Sequence, residues 1–360
     1  MSDPSQLPLL TDKPYEVWEI PNVPPYRTEQ IRQWVYEKGV LNFNSMTNLP
    51  ADLRLKLADE WDLCPMEQVR VQGSADVTCK FLWRLRDGQF IEGVLIPATP
   101  GKDGTRASRL TFCVSTQVGC ALGCKFCASG LDGLKRNLST GEIVGQILLA
   151  RNEAGKRIDN LVFMGMGEPL ANLSALLPAL DVIRSPKGLG IGARHITLST
   201  CGLVPRILEL ANYPAQIRLA VSLHGSDDET RERTMPINKR YPLAELLDAC
   251  ETFVHARQKM ITFEYILIDG VNDDPAQASL LAAHARRLRA KVNLIPYNAV
   301  EGLEWKRPSE NRIRTFLQTV ERGHPPAVTL RMEKGHDIDA ACGQLRLKET
   351  KSEERDKTQA

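Results

Sequence analysis

Residues 113–127 read CVSTQVGCALGCKFC, and their reading decides the fold. Cys120, Cys124 and Cys127 follow one another at the spacing C-x3-C-x2-C. A loop this short can point three thiolates at one centre, and it supplies no fourth nearby ligand. A metal held here keeps one position open. Thiolates of this kind suit an iron–sulfur cluster or zinc. Cysteine zinc sites usually come as two C-x2-C knuckles, and this sequence has no second pair. A four-iron cluster held by three cysteines has one iron free for chemistry, which separates it from a cluster that only carries electrons.

Outward from these cysteines, short apolar strands alternate with amphipathic helices. The strand candidates are RLTFCVST, NLVFM, HITLST, IRLAVSLH, ITFEYILI, KVNLIPYN and AVTLRM. Helices are predicted near 140–154, 173–184, 204–211, 242–256, 275–289 and 309–322. Ser139 with Glu142 makes a capping box for the first of them. Repeated β-then-α units imply a parallel sheet with right-handed crossovers. About six units are too few for a closed eightfold barrel. They suit an α/β partial (β/α)6 TIM-like barrel, open on one side, with its site at the C-terminal strand ends. The unusual residues fall at those ends. They are the cysteine loop, Gly165 to Pro169, Ser199-Thr200, Ser222-Leu223-His224 and Pro296-Tyr297-Asn298. After the last strand comes GHDIDAACGQL, which contains Cys342.

Before the barrel the pattern differs. In TEQIRQWVYEKG, Ile31, Trp34 and Val35 share a helical face, and Gly39 is placed to cap its C-terminus. LPADLRLKLADEW carries Leu53, Leu57 and Trp61 on one stripe, with Pro50 near its first turn. Arg27, Arg32, Lys38, Arg54 and Lys56 project from the two helices. They read either as a solvated face or as a grip on RNA phosphates. Residues 68–97 switch to period two, and VTCKFLWRLRDGQFIEGVLIP forms a hairpin turning at Asp87-Gly88. Glu92 lies just inside its second strand. The expected division is 1–67 helical, 68–105 hairpin and linker, 106–345 barrel, and 346–360 a polar, disordered tail.

The 46 basic and 44 acidic residues nearly balance, so charge neither requires nor excludes nucleic acid. The sequence shows neither signal peptide nor membrane span. Nine cysteines without export fit a reducing cytoplasm.

CVSTQVGCALGCKFC, RNLSTGEIVGQI, MGMGEPL, PYRTEQIRQWVYEKG and DIDAACGQL stand in an order that resembles the RlmN/Cfr methyltransferases of the radical S-adenosylmethionine (SAM) superfamily. The resemblance covers most of residues 24–345. It implies a [4Fe–4S] cluster on Cys120, Cys124 and Cys127, whose open iron chelates SAM. Gly167 and Glu168 would meet the SAM amine; a glycine turn lets backbone approach, and a carboxylate accepts N–H bonds. Ser199, Ser222, Leu223 and His224 would meet its carboxylate or ribose, and Asn298 its adenine or ribose. Read without the resemblance, these residues could merely cap strand ends.

The resemblance makes Cys342 the methyl-carrying residue, Cys113 its resolving partner through a disulfide, and Glu92 or Cys113 the acceptor of the ring proton. A cysteine among alanines is otherwise a small buried hydrophobe. The implied substrate is an adenosine of 23S rRNA methylated at C2, with a tRNA adenosine beside the anticodon as a second. The N-terminal helices, Lys135 and Arg136 would hold RNA. A flavodoxin-type electron donor and a monomer are expected. Cys64, Cys79, Cys201 and Cys250 have no motif around them and read as structural, with Cys201 singled out by its place after Ser199-Thr200. Rival readings are C8 methylation of adenine by the sister activity, a radical SAM activase or maturase, and a zinc–RNA module.

Overall fold

The computed structural model describes residues 7–14, 18–73, 78–98, 109–300, 302–331, 345–346 and 349. The loop expected at 98–108, most of the polar tail and Cys342 lie outside the described residues, save Ala98, Arg346 and Glu349.

In chain order the elements are α1 (Pro25–Arg32), α2 (Ala51–Glu60), β1 (Met66–Gly73), β2 (Cys79–Leu85), β3 (Phe90–Pro97), β4 (Leu110–Cys113), β5 (Gln117–Gly119) and β6 (Leu134–Asn137). There follow α3 (Thr140–Ala154), β7 (Asn160–Phe163), α4 (Leu173–Arg184), β8 (Ile196–Thr200), α5 (Val204–Ala211), β9 (Arg218–Ser222), α6 (Asp228–Thr234) and α7 (Leu243–Arg257). The chain continues with β10 (Thr262–Leu267), α8 (Pro275–Arg287), β11 (Lys291–Pro296), α9 (Glu310–Arg322) and β12 (Val328–Leu330).

Ten strands form one sheet in the order β1-β2-β3-β4-β7-β8-β9-β10-β11-β12. From β4 to β12 every pairing is parallel. Six helical crossovers, through α3, α4, α5, α6–α7, α8 and α9, join these strands. This is the partial barrel that the β-then-α repeat predicts. The hairpin β2–β3 joins its edge antiparallel to β4. One edge is thereby covered, and Glu92 is brought two strands from β7.

Local chemistry sets the helix limits. Ser139 accepts from Glu142 N, and Glu142 closes the capping box. Asp274 caps α8, whose first residue is Pro275. Pro50 is the N-cap residue of α2, beside its first turn as the sequence suggests. α1 continues into a π-helical turn over Gln33–Glu37 and stops at Gly39, whose φ is +72°.

The N-terminal segment shares its core with the barrel. Ile31, Val35 and Tyr36 are buried in one apolar cluster with Ile143, Ile147 and Leu161. Three polar clasps fasten it to α3: Arg151 Nη1 donates to Tyr36 O (2.7 Å), Asn152 Nδ2 to Gly39 O (2.7 Å), and Gly141 N to Asp12 Oδ1 (2.6 Å).

Candidate active site

The signature stretch builds its own scaffold before it presents a ligand. Between Cys113 and Cys120, two polar side chains reach across to the turn after β7. Ser115 Oγ donates to Glu92 O (2.6 Å) and accepts from Met166 N (2.9 Å). Gln117 Oε1 accepts from Glu168 N (2.8 Å). Gln146 of α3 receives Ser115 N and donates back to Ser115 O (2.9 and 3.0 Å). The Gly165–Glu168 turn is thus clamped to the cysteine loop. A Cβ on Gly167, at φ +96°, would stand 2.5 Å from Gln117 Cβ. Only glycine allows that approach.

The cysteine loop is held from two sides. Cys120 N donates to Gly133 O (3.1 Å), within the small sheet of β5 and β6. Lys125 N donates to Thr234 O (2.9 Å) at the end of α6. Cys120, Cys124 and Cys127 line one cavity of about 840 Å³ with Cys113, Gly167, Glu168, Ser199, Ser222, His224 and Asn298. Burial pushes the Cys120 thiol up to about 11 and the Cys124 thiol well above its ordinary value. Metal-free, both are neutral thiols; iron binding displaces their protons. Among the described residues no three thiol, imidazole or carboxylate groups close around a single ion.

Glu168 is 4% exposed and accepts from Leu170 N (3.0 Å) and Cys201 N (2.9 Å). Burial raises its pKa against these hydrogen bonds, which lower it. His224 sits at φ +52° and accepts Ile266 N–H at Nδ1 (3.0 Å), so its proton resides on Nε2. Burial, then the Arg231 charge, brings its pKa down to about 3. It is a neutral imidazole against the Phe126 ring, 4.6 Å between centroids. Asn298 Oδ1 and Tyr297 Oη are buried without a partner.

A cavity of this size, three thiols on its wall, a glycine cradle and an orphaned amide oxygen fit a cluster together with a SAM-sized ligand.

Two expected site residues stand apart from the cavity. Leu223 is fully buried in the core and donates its N–H to Glu264 O (3.0 Å). Glu92 is 2% exposed, paired with the fully buried Lys80 (3.0 Å), and accepts Arg346 N–H. Arg136, expected to hold RNA, spends its charge on Asp87 and Glu142 (2.8 Å to the latter). Sequence reasoning missed Lys80, whose signal was a lone lysine within an apolar alternation. Cys201, read as structural but singled out by its place after Ser199-Thr200, is buried at the cavity wall beside Glu168.

Residues 114–282 match the model of the radical SAM superfamily, and 21–62 that of the ribosomal RNA large subunit methyltransferase N-terminal domain. A probable dual-specificity RNA methyltransferase RlmN from Akkermansia muciniphila is 57% identical over 323 residues, covering 90% of each chain. A relative of the same description from Opitutus terrae, RlmN 3, is 55% identical, covering 91% of this chain and 90% of its own. The crystal structure of a radical SAM methyltransferase from Sphaerobacter thermophilus superposes with a TM-score of 0.84 at 45% identity, covering 89% of this chain and 93% of that one. Radical SAM enzymes of this kind use a [4Fe–4S] cluster and SAM. The chain belongs to the RlmN family of radical SAM methyltransferases.

Proposed function

We propose that this enzyme methylates C2 of an adenosine in 23S rRNA, and of a tRNA adenosine beside the anticodon, through a methyl group carried on Cys342. One observation carries the reading: a single cavity unites the three cluster cysteines, Cys113, Gly167–Glu168 and Asn298. The relatives' description as dual-specificity RNA methyltransferases supports the substrate. The N-terminal match supports ribosomal RNA in particular. We assign residues 1–67 to RNA contact, 68–105 to the hairpin and linker, 106–345 to catalysis, and 346–360 to a tail.

When bound, the cluster and SAM supply the methyl group and the one-electron chemistry that makes its carbon reactive toward an aromatic ring. Cys120, Cys124 and Cys127 hold the cluster. Gly167 and Glu168 receive the SAM amine; Ser199, Ser222 and His224 its carboxylate and ribose; Asn298 its adenine. Cys342 Sγ carries the methyl group to the base. The base is then joined to Cys342 through that carbon. Cys113, in the cavity wall, would take the ring proton as a thiolate and release it to solvent, with the odd electron of the adduct passing to the one-electron acceptor that the cluster would supply. As a thiolate again, Cys113 attacks Cys342 Sγ. The S–C bond breaks as the Cys113–Cys342 disulfide forms, and the electron pair of the broken bond stays on the product carbon, which takes up a proton to complete the methyl group. Glu92, committed to Lys80 and the Arg346 amide, anchors the chain that returns after Cys342. A flavodoxin-type protein is the proposed donor of the electron. We assign the enzyme to the cytoplasm as a monomer. Among the described residues no helix is long and apolar enough to cross a membrane.

The test is a pair of variants with cluster, SAM and rRNA. Cys342→Ala forms no methylated RNA yet still cleaves SAM. Cys113→Ala accumulates protein covalently joined to RNA, seen as a slow band on a denaturing gel. Methylation by Cys342→Ala, or no crosslink with Cys113→Ala, sinks the assignment. If Glu92→Gln instead accumulates the crosslink, Glu92 is the proton acceptor.

A further inference from the structure

Behind the cysteine loop lies a cation that the reaction scheme does not use. Arg231, on α6, is 0% exposed. Its Nη1 donates to Asn238 Oδ1 (2.8 Å) and its Nη2 to Cys201 O (2.7 Å), both neutral acceptors. Nε is buried with no partner. Among the described residues Arg231 makes no ion pair within 4.0 Å. Asp228, the carboxylate that acts on it, is committed to Asn238 Nδ2 (2.8 Å) and Leu243 N (2.7 Å).

Two glycines let the chain approach the Arg231 backbone and its guanidinium closely. A Cβ on Gly225 would fall 2.3 Å from Arg231 N, and one on Gly202 3.1 Å from Nη2. The same helix takes Lys125 N of the cysteine loop at Thr234 O (2.9 Å). Cys201 and Met235 pack with Cys124 in one small apolar cluster.

A buried cation without an ion-pair partner is costly, and low dielectric strengthens its pull on any nearby anion. The negative charge arrives with the thiolate-ligated cluster. We infer that Arg231 is the electrostatic counter-ion of the cluster, stabilising its bound and especially its reduced form. This rests on the reading that Cys120, Cys124 and Cys127 hold the cluster. Reduction adds one electron, supplied by a low-potential donor, to the oxidised cluster. No bond breaks and no proton moves. The added negative charge sits beside Arg231, so the cation raises the reduction potential. Charge near an iron–sulfur centre is one of the levers that set that potential.

The experiment uses wild type, Arg231→Met, Arg231→Gln and Arg231→Lys, each reconstituted with iron and sulfide without SAM. Each is titrated with dithionite by electron paramagnetic resonance. At one fixed ambient potential the ratio of reduced to oxidised cluster falls at least tenfold in the Met and Gln variants, which is 59 mV for a one-electron couple. The Lys variant stays near wild type. Melting temperatures with and without cluster are measured alongside. The gain on loading shrinks in Met and Gln and persists in Lys.

Wild-type potentials in the neutral variants, or an equal gain on loading in all four, overturn the inference. A neutral variant that folds iron-free but fails to retain iron, while Lys retains it, supports it. Should the neutral variants not fold, a Lys variant shifted as far as tenfold, despite its charge, overturns it. Wild type that takes up no cluster refutes the three-cysteine reading instead, which keeps the two failures distinct.

Discussion

At the scale of single residues, Glu168 is the acceptor we propose for the SAM amine. Its carboxylate is already oriented by two backbone amides, so little ordering remains for binding. Glu168→Gln removes a charge-assisted bond worth about 1.5–3 kcal/mol. Equilibrium dialysis of SAM with reconstituted enzyme therefore shows a roughly 10- to 100-fold weaker Kd.

His224 gives a pH prediction. Its folded pKa of about 3 lies below the ordinary 6.5, so the unfolded chain binds a proton that the native state refuses. Stability from this residue is present above pH 6.5 and is lost as pH falls toward 3, at up to about 1.4 kcal/mol per unit. Glu168, raised by burial, has the opposite sign: its native state holds a proton longer, so its contribution declines as pH rises through the carboxylate range. Urea titrations of iron-free protein from pH 7 to 4 isolate the histidine when wild type is compared with a His224 variant, in which Glu168 is unchanged. His224→Asn, which tolerates the left-handed backbone, flattens the slope. An unchanged slope argues against a buried neutral imidazole.

The cysteine spacing made the candidate cluster ligands legible, because three thiols so close in sequence cannot be far apart in space. Arg231 was not legible. It lies in DETRERT, where charges ordinarily face solvent, and only tertiary packing buries it.

At the scale of elements, the seven parallel strands were legible because each is a β-branched or aromatic run between polar turns. β5 and β6 were not. They span three and four residues, too few for any period to show, and their pairing depends on Gly119 lying against Gly133. α6 escaped for a related reason: its seven residues carry no apolar stripe.

Two elements offer measurable energies. Ser139→Ala breaks the cap of α3 and should lower stability by about 1 kcal/mol in urea, with the m-value unchanged. Lys80→Met strands the Glu92 carboxylate in the barrel wall, 2% exposed, and should cost about 3–5 kcal/mol. A double variant, Lys80→Met with Glu92→Leu, recovers much of that loss; failure to recover shows the two charges act independently.

At the scale of the whole molecule, one continuous apolar core runs from Trp18 through the barrel to Phe316 and Val320. The fold is therefore held by burial, and the cluster is added to a finished frame. Chelating the iron leaves the far-ultraviolet circular dichroism unchanged and lowers the melting temperature. Collapse of the dichroism would show the cluster to be structural.

The partial barrel explains where the chemistry sits. Parallel strands direct their C-terminal ends to one rim, and the rim gathers Cys113 with the cysteine loop, Glu168, Ser199, Ser222 and Asn298 from five of them. The covering hairpin was readable as a hairpin, but its attachment to β4 depends on long-range pairing that no local pattern records.

The central claim is methyl transfer to adenine C2. Reconstituted enzyme is incubated with SAM, a reductant and unmodified 23S rRNA, and the RNA is digested for nucleoside mass spectrometry against authentic standards. The prediction is 2-methyladenosine, lost in Cys342→Ala. Appearance of 8-methyladenosine instead, or no methylated adenosine from cluster-loaded enzyme, would contradict it.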